Sequence, residues 1–168
     1  HLGKSELDYL ESGGRILLLS RAAFREQERT GFWGNAWGTG YGMVVEDHPL
    51  LASFPHEGFS DLNFFGLIQD ATWTPWKLLP RGVQPRIGAL ATTPWVTAEK
   101  NLDGKVGMWE ATVGQGRLLV STLNVVAQRP ESVFLLDQLL RYCLSGQFFP
   151  AASLTRDDVE AVLAPPSP

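Results

Sequence analysis

The feature that most limits the possible folds is a strand signal at residues 15–20, whose middle residues, Ile16 to Leu19, form an unbroken apolar run, preceded by a short helix signal and two glycines. Consecutive apolar positions are typical of a strand in a parallel sheet covered on both faces. Residues 5–11 predict a helix with Ser5 as its N-cap, which Gly13 and Gly14 end. Helix, glycines and buried strand form the second half of a β-α-β unit, so the sequence predicts an α/β fold.

The first strand of that unit would lie before residue 1. The chain begins at His1, with no Met and no signal peptide, which predicts a processed or excised piece of a longer protein. Its 168 residues suit one domain with a proper core. We therefore expect a single domain over residues 1–168 that lacks its opening strand.

Later segments predict further strands and helices. Residues 105–113 and 117–123 predict a β-hairpin around Gly114 and Gly116, and residues 76–79 and 86–92 predict strands. Leu62, Phe65 and Ile68 predict one face of a short helix over residues 61–69. Pro130 and Gly146 bracket a helix at residues 131–144. The residues predicted to face the core from that helix are Val133, Leu136, Leu140 and Cys143.

Composition excludes several classes of function. The net charge of −4 argues against nucleic acid as a partner, because a phosphate binder needs a basic face. No apolar run reaches the roughly 18 residues of a membrane span. The single cysteine excludes an internal disulfide and a cysteine-rich metal site. The chain has two glycine-rich segments, from Gly38 to Gly42 and from Gly114 to Gly116. Neither has the spacing of a phosphate-binding loop, so no cofactor is expected.

Two side chains are candidate nucleophiles. Cys143 lies late in a predicted helix among apolar neighbours, which favours a buried thiol over a reactive one. Ser20 ends the buried strand, where open α/β sheets bind ligands. Its neighbours lack the glycines of a nucleophile elbow. A catalytic serine is therefore the weaker interpretation.

His56, Glu57 and Asp61 form a candidate polar cluster. Their spacing allows an acid–base or metal-binding role, although it matches no zinc motif. Ordinary loop polarity and charge near a helix N-terminus explain the same residues. We expect no metal site.

Six tryptophans are a high number for this length. Most lie in predicted loops or at strand ends, where an indole can stack on the apolar face of a sugar ring. Buried or interdomain packing is the competing interpretation, and the one we favour. The candidate carbohydrate-binding residues are Trp33, Trp37, Trp76 and Trp95.

Several segments together carry a family resemblance. They are residues 10–19 (LESGGRILLL), His48-Pro49-Leu50 with Phe54-Pro55 and Ser60-Asp61, residues 109–121 (WEATVGQGRLLVS), and Phe148-Phe149-Pro150 before a short terminal helix. Over residues 7–163 the chain resembles the glutamine-amidotransferase-like (ThuA-like) domain. It is most similar to the form at the C-terminus of bacterial glycoside hydrolase family 2, β-galactosidase-like proteins.

The resemblance implies a flavodoxin-like, three-layer fold with a mostly parallel sheet and a C-terminal β-hairpin. It also implies a non-catalytic accessory domain that packs on, or oligomerises with, the catalytic part of a secreted or periplasmic glycosidase. Glutaminase activity is not expected, because Cys143 lies outside a Gly-x-Cys-x-Gly elbow and no histidine follows His56.

Three functions follow as hypotheses. The first is the accessory domain, whose partners are the other domains of the parent glycosidase or a second copy of the chain. The second is a carbohydrate-binding module that uses the tryptophans. The third is a small hydrolase that uses Ser20 or the polar cluster at His56, Glu57 and Asp61.

Overall fold

The computed structural model describes residues 2–19, 28–30, 40–59, 61–68, 71–92, 103–125 and 128–163. Its α-helices are α1 (Lys4–Glu11), α2 (Phe65–Ile68), α3 (Pro130–Leu144) and α4 (Arg156–Leu163). Its strands are β1 (Arg15–Leu19), β2 (Glu28–Thr30), β3 (Gly40–Val45), β4 (Ala71–Pro75), β5 (Pro85–Thr92), β6 (Asp103–Val113), β7 (Gly116–Ser121) and β8 (Ser153–Leu154). Three short 3-10 turns lie at Pro49–Leu51, Leu62–Phe64 and Trp76–Leu78.

Strand β6 is the centre of one mixed sheet. One edge of β6 pairs with β7 and, further along, with β4. The opposite edge pairs with β5 and then with β8. Strand β1 extends the sheet beyond β7, β2 lies beyond β4, and β3 lies beyond β5. The long central strand therefore has two neighbours on each side.

The predicted flavodoxin-like or amidotransferase-like sandwich with a mostly parallel sheet is wrong. Among the described strands, five of the seven pairings are antiparallel, and only β1 with β7 and β6 with β8 run parallel. The apolar run that suggested a parallel sheet does form β1. However, its middle residues are only partly buried and Leu19 is exposed. The apolar pattern of β1 is therefore compatible with its one parallel pairing, with β7, but it does not predict the direction of the other strands.

The predicted hairpin is present as β6 and β7, paired from Met108 opposite Ser121 to Val113 opposite Gly116. The end of α1 lies directly against its turn. A Cβ atom on Gly116 would lie 2.1 Å from the carbonyl oxygen of Leu10. Gly114 has a positive φ of 58°, which also favours glycine. The glycines therefore allow both the turn and the close approach of the helix.

The core consists of two apolar clusters, one on each face of the sheet. Leu118 and Val120 of β7 belong to the first cluster, while Leu119 between them belongs to the second, as expected from the alternation of side chains along a strand. Helices α1 and α4 contribute to the first cluster. Helices α2 and α3 contribute to the second.

The predicted buried face of α3 is wrong by about one residue. Val133 and Leu140 are about half exposed, whereas Cys143 is buried as expected. The buried face instead places Leu135 and Leu139 in the second cluster. Its polar members have partners: the Ser132 hydroxyl donates to the Asn124 carbonyl at 3.4 Å, and the Tyr142 hydroxyl donates to Glu110. The residues that α3 buries are Ser132, Leu135, Leu139, Tyr142 and Cys143.

Two other local predictions are corrected. Residues 76–78 form a 3-10 turn rather than a strand. The helix predicted over residues 61–69 is a 3-10 turn followed by the four-residue α2. Ile68 is buried, but Leu62 and Phe65 are exposed. No helix in the described ranges is long and apolar enough to cross a bilayer.

Candidate functional site

A buried carboxylate, Glu110 on β6, is the centre of a polar network. Its side chain is only 1% exposed. One of its oxygens accepts a hydrogen bond from Arg86 Nη2 at 2.8 Å, and the other accepts one from the Tyr142 hydroxyl at 2.9 Å. A buried charge is tolerated when it is paired and hydrogen-bonded in this way. Glu110 therefore joins β5, β6 and α3.

Arg86 connects this buried carboxylate to a second one at the surface. Its Nη1 atom donates to Oε2 of Glu46, whose side chain is 42% exposed. Burial alone would lower the pKa of Arg86, but the hydrogen bonds that Arg86 donates to Glu46 and Glu110 outweigh the effect of burial and raise that pKa. The guanidinium therefore stays charged between two carboxylates.

His48 lies on the same network. Its Nδ1 atom accepts a hydrogen bond from the backbone N–H of Leu50 at 3.3 Å, and its Nε2 atom lies 3.6 Å from Oε1 of Glu110. Burial, followed by the charge of Arg86, lowers the pKa of His48. The ring is therefore neutral at pH 7. Because Nδ1 is the acceptor, the proton is assigned to Nε2.

The network holds β5, β6 and α3 together, and its hydrogen bonds occupy the acceptor nitrogen of His48. One ring nitrogen of His48 already accepts a backbone N–H, and the other directs its proton at Glu110. Burial and Glu110 raise the pKa of Tyr142, so its hydroxyl stays protonated as a donor. A general base needs a free acceptor nitrogen that faces substrate, and His48 has none.

Cys143, the residue after Tyr142 on α3, is also buried. Burial, with Glu110 next in importance, raises the pKa of its thiol to about 11. A nucleophilic cysteine requires a lowered pKa. The thiol is therefore protonated at neutral pH and packs as a small apolar side chain. Ser20, the other candidate nucleophile, lies outside the described residues.

The predicted polar cluster is divided between two turns. His56 Nδ1 accepts the backbone N–H of Gly58 at 3.2 Å. Asp61 caps the next 3-10 turn, accepting from the Asn63 backbone N–H at 2.8 Å. Glu57 is exposed. Within the described ranges, no group of three or more His, Cys, Asp or Glu side chains could hold a metal ion.

The tryptophans fall into three groups. Trp73 and Trp109 are buried in the core. Trp76 is 42% exposed, and it is the only one of the four candidate carbohydrate-binding residues that can be placed. Trp33, Trp37 and Trp95 lie outside the part of the chain that the structure describes.

Two surface grooves in the described part of the chain could contact a ligand or a partner. The Trp76 groove has a volume of about 290 Å³ and includes Glu46 of the network. The α2–α3 groove has a volume of about 550 Å³ and is lined by Phe54, Pro55, Leu62, Asn63, Phe65, Gly66, Pro130, Glu131 and Phe134. Its lining is more apolar than is usual for exposed surface, because Leu62, Phe65 and Phe134 are all exposed there.

Sequence reasoning missed the network, although one signal was available. Glu110 lies between Trp109 and Ala111 and is the one charged residue in the segment from Val106 to Val113. Charged residues are almost never fully buried without a partner, so this position predicts a buried cation. The identity of that cation was not predictable, because Arg86 is brought to it by the pairing of β5 with β6.

The fold and the network together define a mixed-sheet domain with a buried ion cluster. A family model described as Domain of unknown function (DUF8487) matches residues 1–164. The chain belongs to this family. No curated protein matches the sequence.

Proposed function

We propose that this chain is a non-catalytic accessory domain that packs, through the α2–α3 groove, on the catalytic part of a carbohydrate-degrading enzyme. The single observation that carries the proposal is the apolar groove itself. Leu62 is 76% exposed and Phe134 is 43% exposed, and both line the same groove. Contiguous apolar surface of this kind is typical of an interface.

The chemistry of the described part of the chain is consistent with this role. His48 Nδ1 accepts a backbone N–H, His48 Nε2 lies 3.6 Å from Glu110, and the Cys143 thiol has a raised pKa. The parent class, a glycoside hydrolase of family 2, depends on the sequence resemblance alone. The antiparallel sheet removes the flavodoxin-like fold that the same resemblance implied, so the parent class needs a direct test.

The first prediction concerns the groove. In the longer protein that the proposal requires, Phe134→Ser should uncouple this domain, because it replaces an apolar contact with a hydroxyl. Calorimetry should then show a separate unfolding transition where the parent shows one. Val133→Ser is the matched control, since Val133 is the neighbouring exposed residue on α3 and does not line the groove. Unchanged coupling in Phe134→Ser would contradict the packing.

Hydrolysis of nitrophenyl glycosides tests the parent class separately. The longer protein should release nitrophenol, and the 168-residue chain alone should not. Activity in the isolated chain would exclude a non-catalytic role. A longer protein without glycosidase activity would exclude the family 2 parent, while leaving the packing result standing.

A further inference from the structure

The Trp76 groove has features of a ligand site that the accessory role does not use. It lies across β3 and β5 beside the 3-10 turn at Trp76–Leu78. Its lining residues are Val44, Glu46, Trp76, Gln84, Pro85, Gly88 and Ala89. None of these residues lines the α2–α3 groove, so the two surfaces can be tested independently.

Glycines on neighbouring strands create the depression. Gly88 of β5 lies in register between Val44 of β3 and Val106 of β6. A Cβ atom on Gly88 would meet only ordinary contacts, the nearest being Pro85 at 3.4 Å. The missing side chain therefore leaves open space between neighbouring strands.

The indole of Trp76 is fixed against the backbone of the sheet. A Cβ atom on Gly104 would lie 3.0 Å from Cε3 of Trp76. The absence of a side chain at Gly104 allows the ring to lie directly on β6. Trp76 nevertheless stays 42% exposed, so it presents apolar aromatic surface in a fixed position.

Polar groups lie at the rim of the groove. Glu46 offers a carboxylate that Arg86 holds in place, and Arg86 is itself held by the buried Glu110. Gln84 adds an exposed amide, which can both donate and accept. The carboxylate is therefore preorganised by the network beneath it, which lowers the entropic cost of binding.

An aromatic ring beside a carboxylate could attract a cation or a sugar, and the neighbouring polar groups decide between them. Arg86 already pairs with Glu46, which weakens the attraction of this carboxylate for a second cation. The Gln84 amide adds an N–H donor that a hydroxylated ligand can use and a cation cannot. A hydroxyl group, in contrast, can donate to a free lone pair of Glu46 without displacing Arg86. Neutral hydroxylated ligands are favoured.

We propose that the Trp76 groove binds one ring of a neutral pyranose saccharide. The apolar C–H face of the ring lies on Trp76, and its hydroxyls donate to Glu46 and to the Gln84 amide oxygen. The volume is near the lower end of the roughly 300–1,000 Å³ range of small-molecule sites, which suits one sugar ring. A shallow groove with one aromatic face predicts a Kd of about 1 mM.

Saturation-transfer NMR on the full chain tests this with methyl β-D-galactopyranoside and methyl β-D-glucopyranoside. The native chain should transfer magnetisation to the ring protons of at least one glycoside. Trp76→Ala should abolish the transfer by removing the aromatic surface. Gly88→Val should abolish it by filling the groove with a side chain that strands accommodate well. Phe149→Ala, which removes an exposed aromatic elsewhere, should retain it.

Three results would overturn the proposal. The first is no transfer from the native chain. The second is transfer that persists in Gly88→Val, which would locate the sugar elsewhere. The third is displacement of the glycoside by choline, which would make the groove a cation site. If Trp76→Ala does not fold, Gly88→Val and the native chain still decide the outcome.

Discussion

At the scale of single residues, Glu110 has the greatest consequence for stability. It is fully buried, and it accepts hydrogen bonds from Arg86 and Tyr142. Removing one partner of a buried ion pair leaves the other charge uncompensated, and this is much more costly than losing an exposed pair. Arg86 provides an internal comparison, because one of its carboxylates is buried and the other, Glu46, is partly exposed.

Glu110→Gln should therefore lower the free energy of unfolding by about 3 kcal/mol. Glu46→Gln is the matched control, the same substitution on the exposed carboxylate of the same arginine, and should cost only about 0–1 kcal/mol. Urea unfolding followed by circular dichroism measures both. Equal losses in the two variants would show that burial does not set the strength of this network.

His48 should make stability depend on pH. Its pKa is lowered in the folded chain, mainly by burial, so the unfolded chain binds a proton first as the pH falls. Stability from His48 is then fully present above about pH 6.5, and is lost as the pH drops below that value towards the folded pKa.

His48→Asn should flatten this loss between pH 7 and about pH 5, because the amide oxygen can still accept the Leu50 N–H and does not titrate. His56→Asn is the control, since His56 likewise accepts a backbone N–H, in an exposed turn. Urea unfolding at a series of pH values measures the slope. A slope in His48→Asn as steep as in the native chain would contradict the assignment.

At the scale of elements, local signals predicted well and long-range pairings did not. The β6–β7 hairpin was predictable because its strands are separated by one glycine-containing turn. The capping pair Thr155 and Asp158 at the start of α4 was also predictable, and the hydrogen bonds between them are present. The buried face of α3 was not, because Tyr142 is buried against Glu110 on β6, a contact between residues 32 positions apart in the chain.

The hairpin turn gives a prediction about α1. Gly116→Ala should be strongly destabilising, by about 3 kcal/mol or more, because its Cβ would collide with backbone oxygens of Leu10 and Gly14. Gly146→Ala is the control, as nothing lies within 4 Å of its Cβ position. Thermal unfolding compares the two. A mild effect at Gly116 would mean that α1 can move away from the turn.

At the scale of the whole molecule, β6 organises the sheet by pairing with four strands. The sequence did not reveal this arrangement, because a buried apolar strand reads the same in a parallel and an antiparallel sheet. The candidate ligand groove was also predictable only in part. Trp76 was recognisable from the sequence as a candidate aromatic residue. Glu46 and Gly88 line the same groove because of the pairing of β3 with β5, which the sequence does not reveal.

The pairing of β1 with β7 has a consequence for synthesis of the chain. Arg15 pairs with Arg117, so β1 leaves the ribosome long before the strand it binds. Among the described strands it pairs with no other. The leucines of β1 therefore stay without their strand partner until the β6–β7 hairpin has been synthesised. Apolar segments that are exposed during synthesis in this way are the ones that chaperones protect. Vectorial synthesis thus makes β1 one of the last of the described strands to become native.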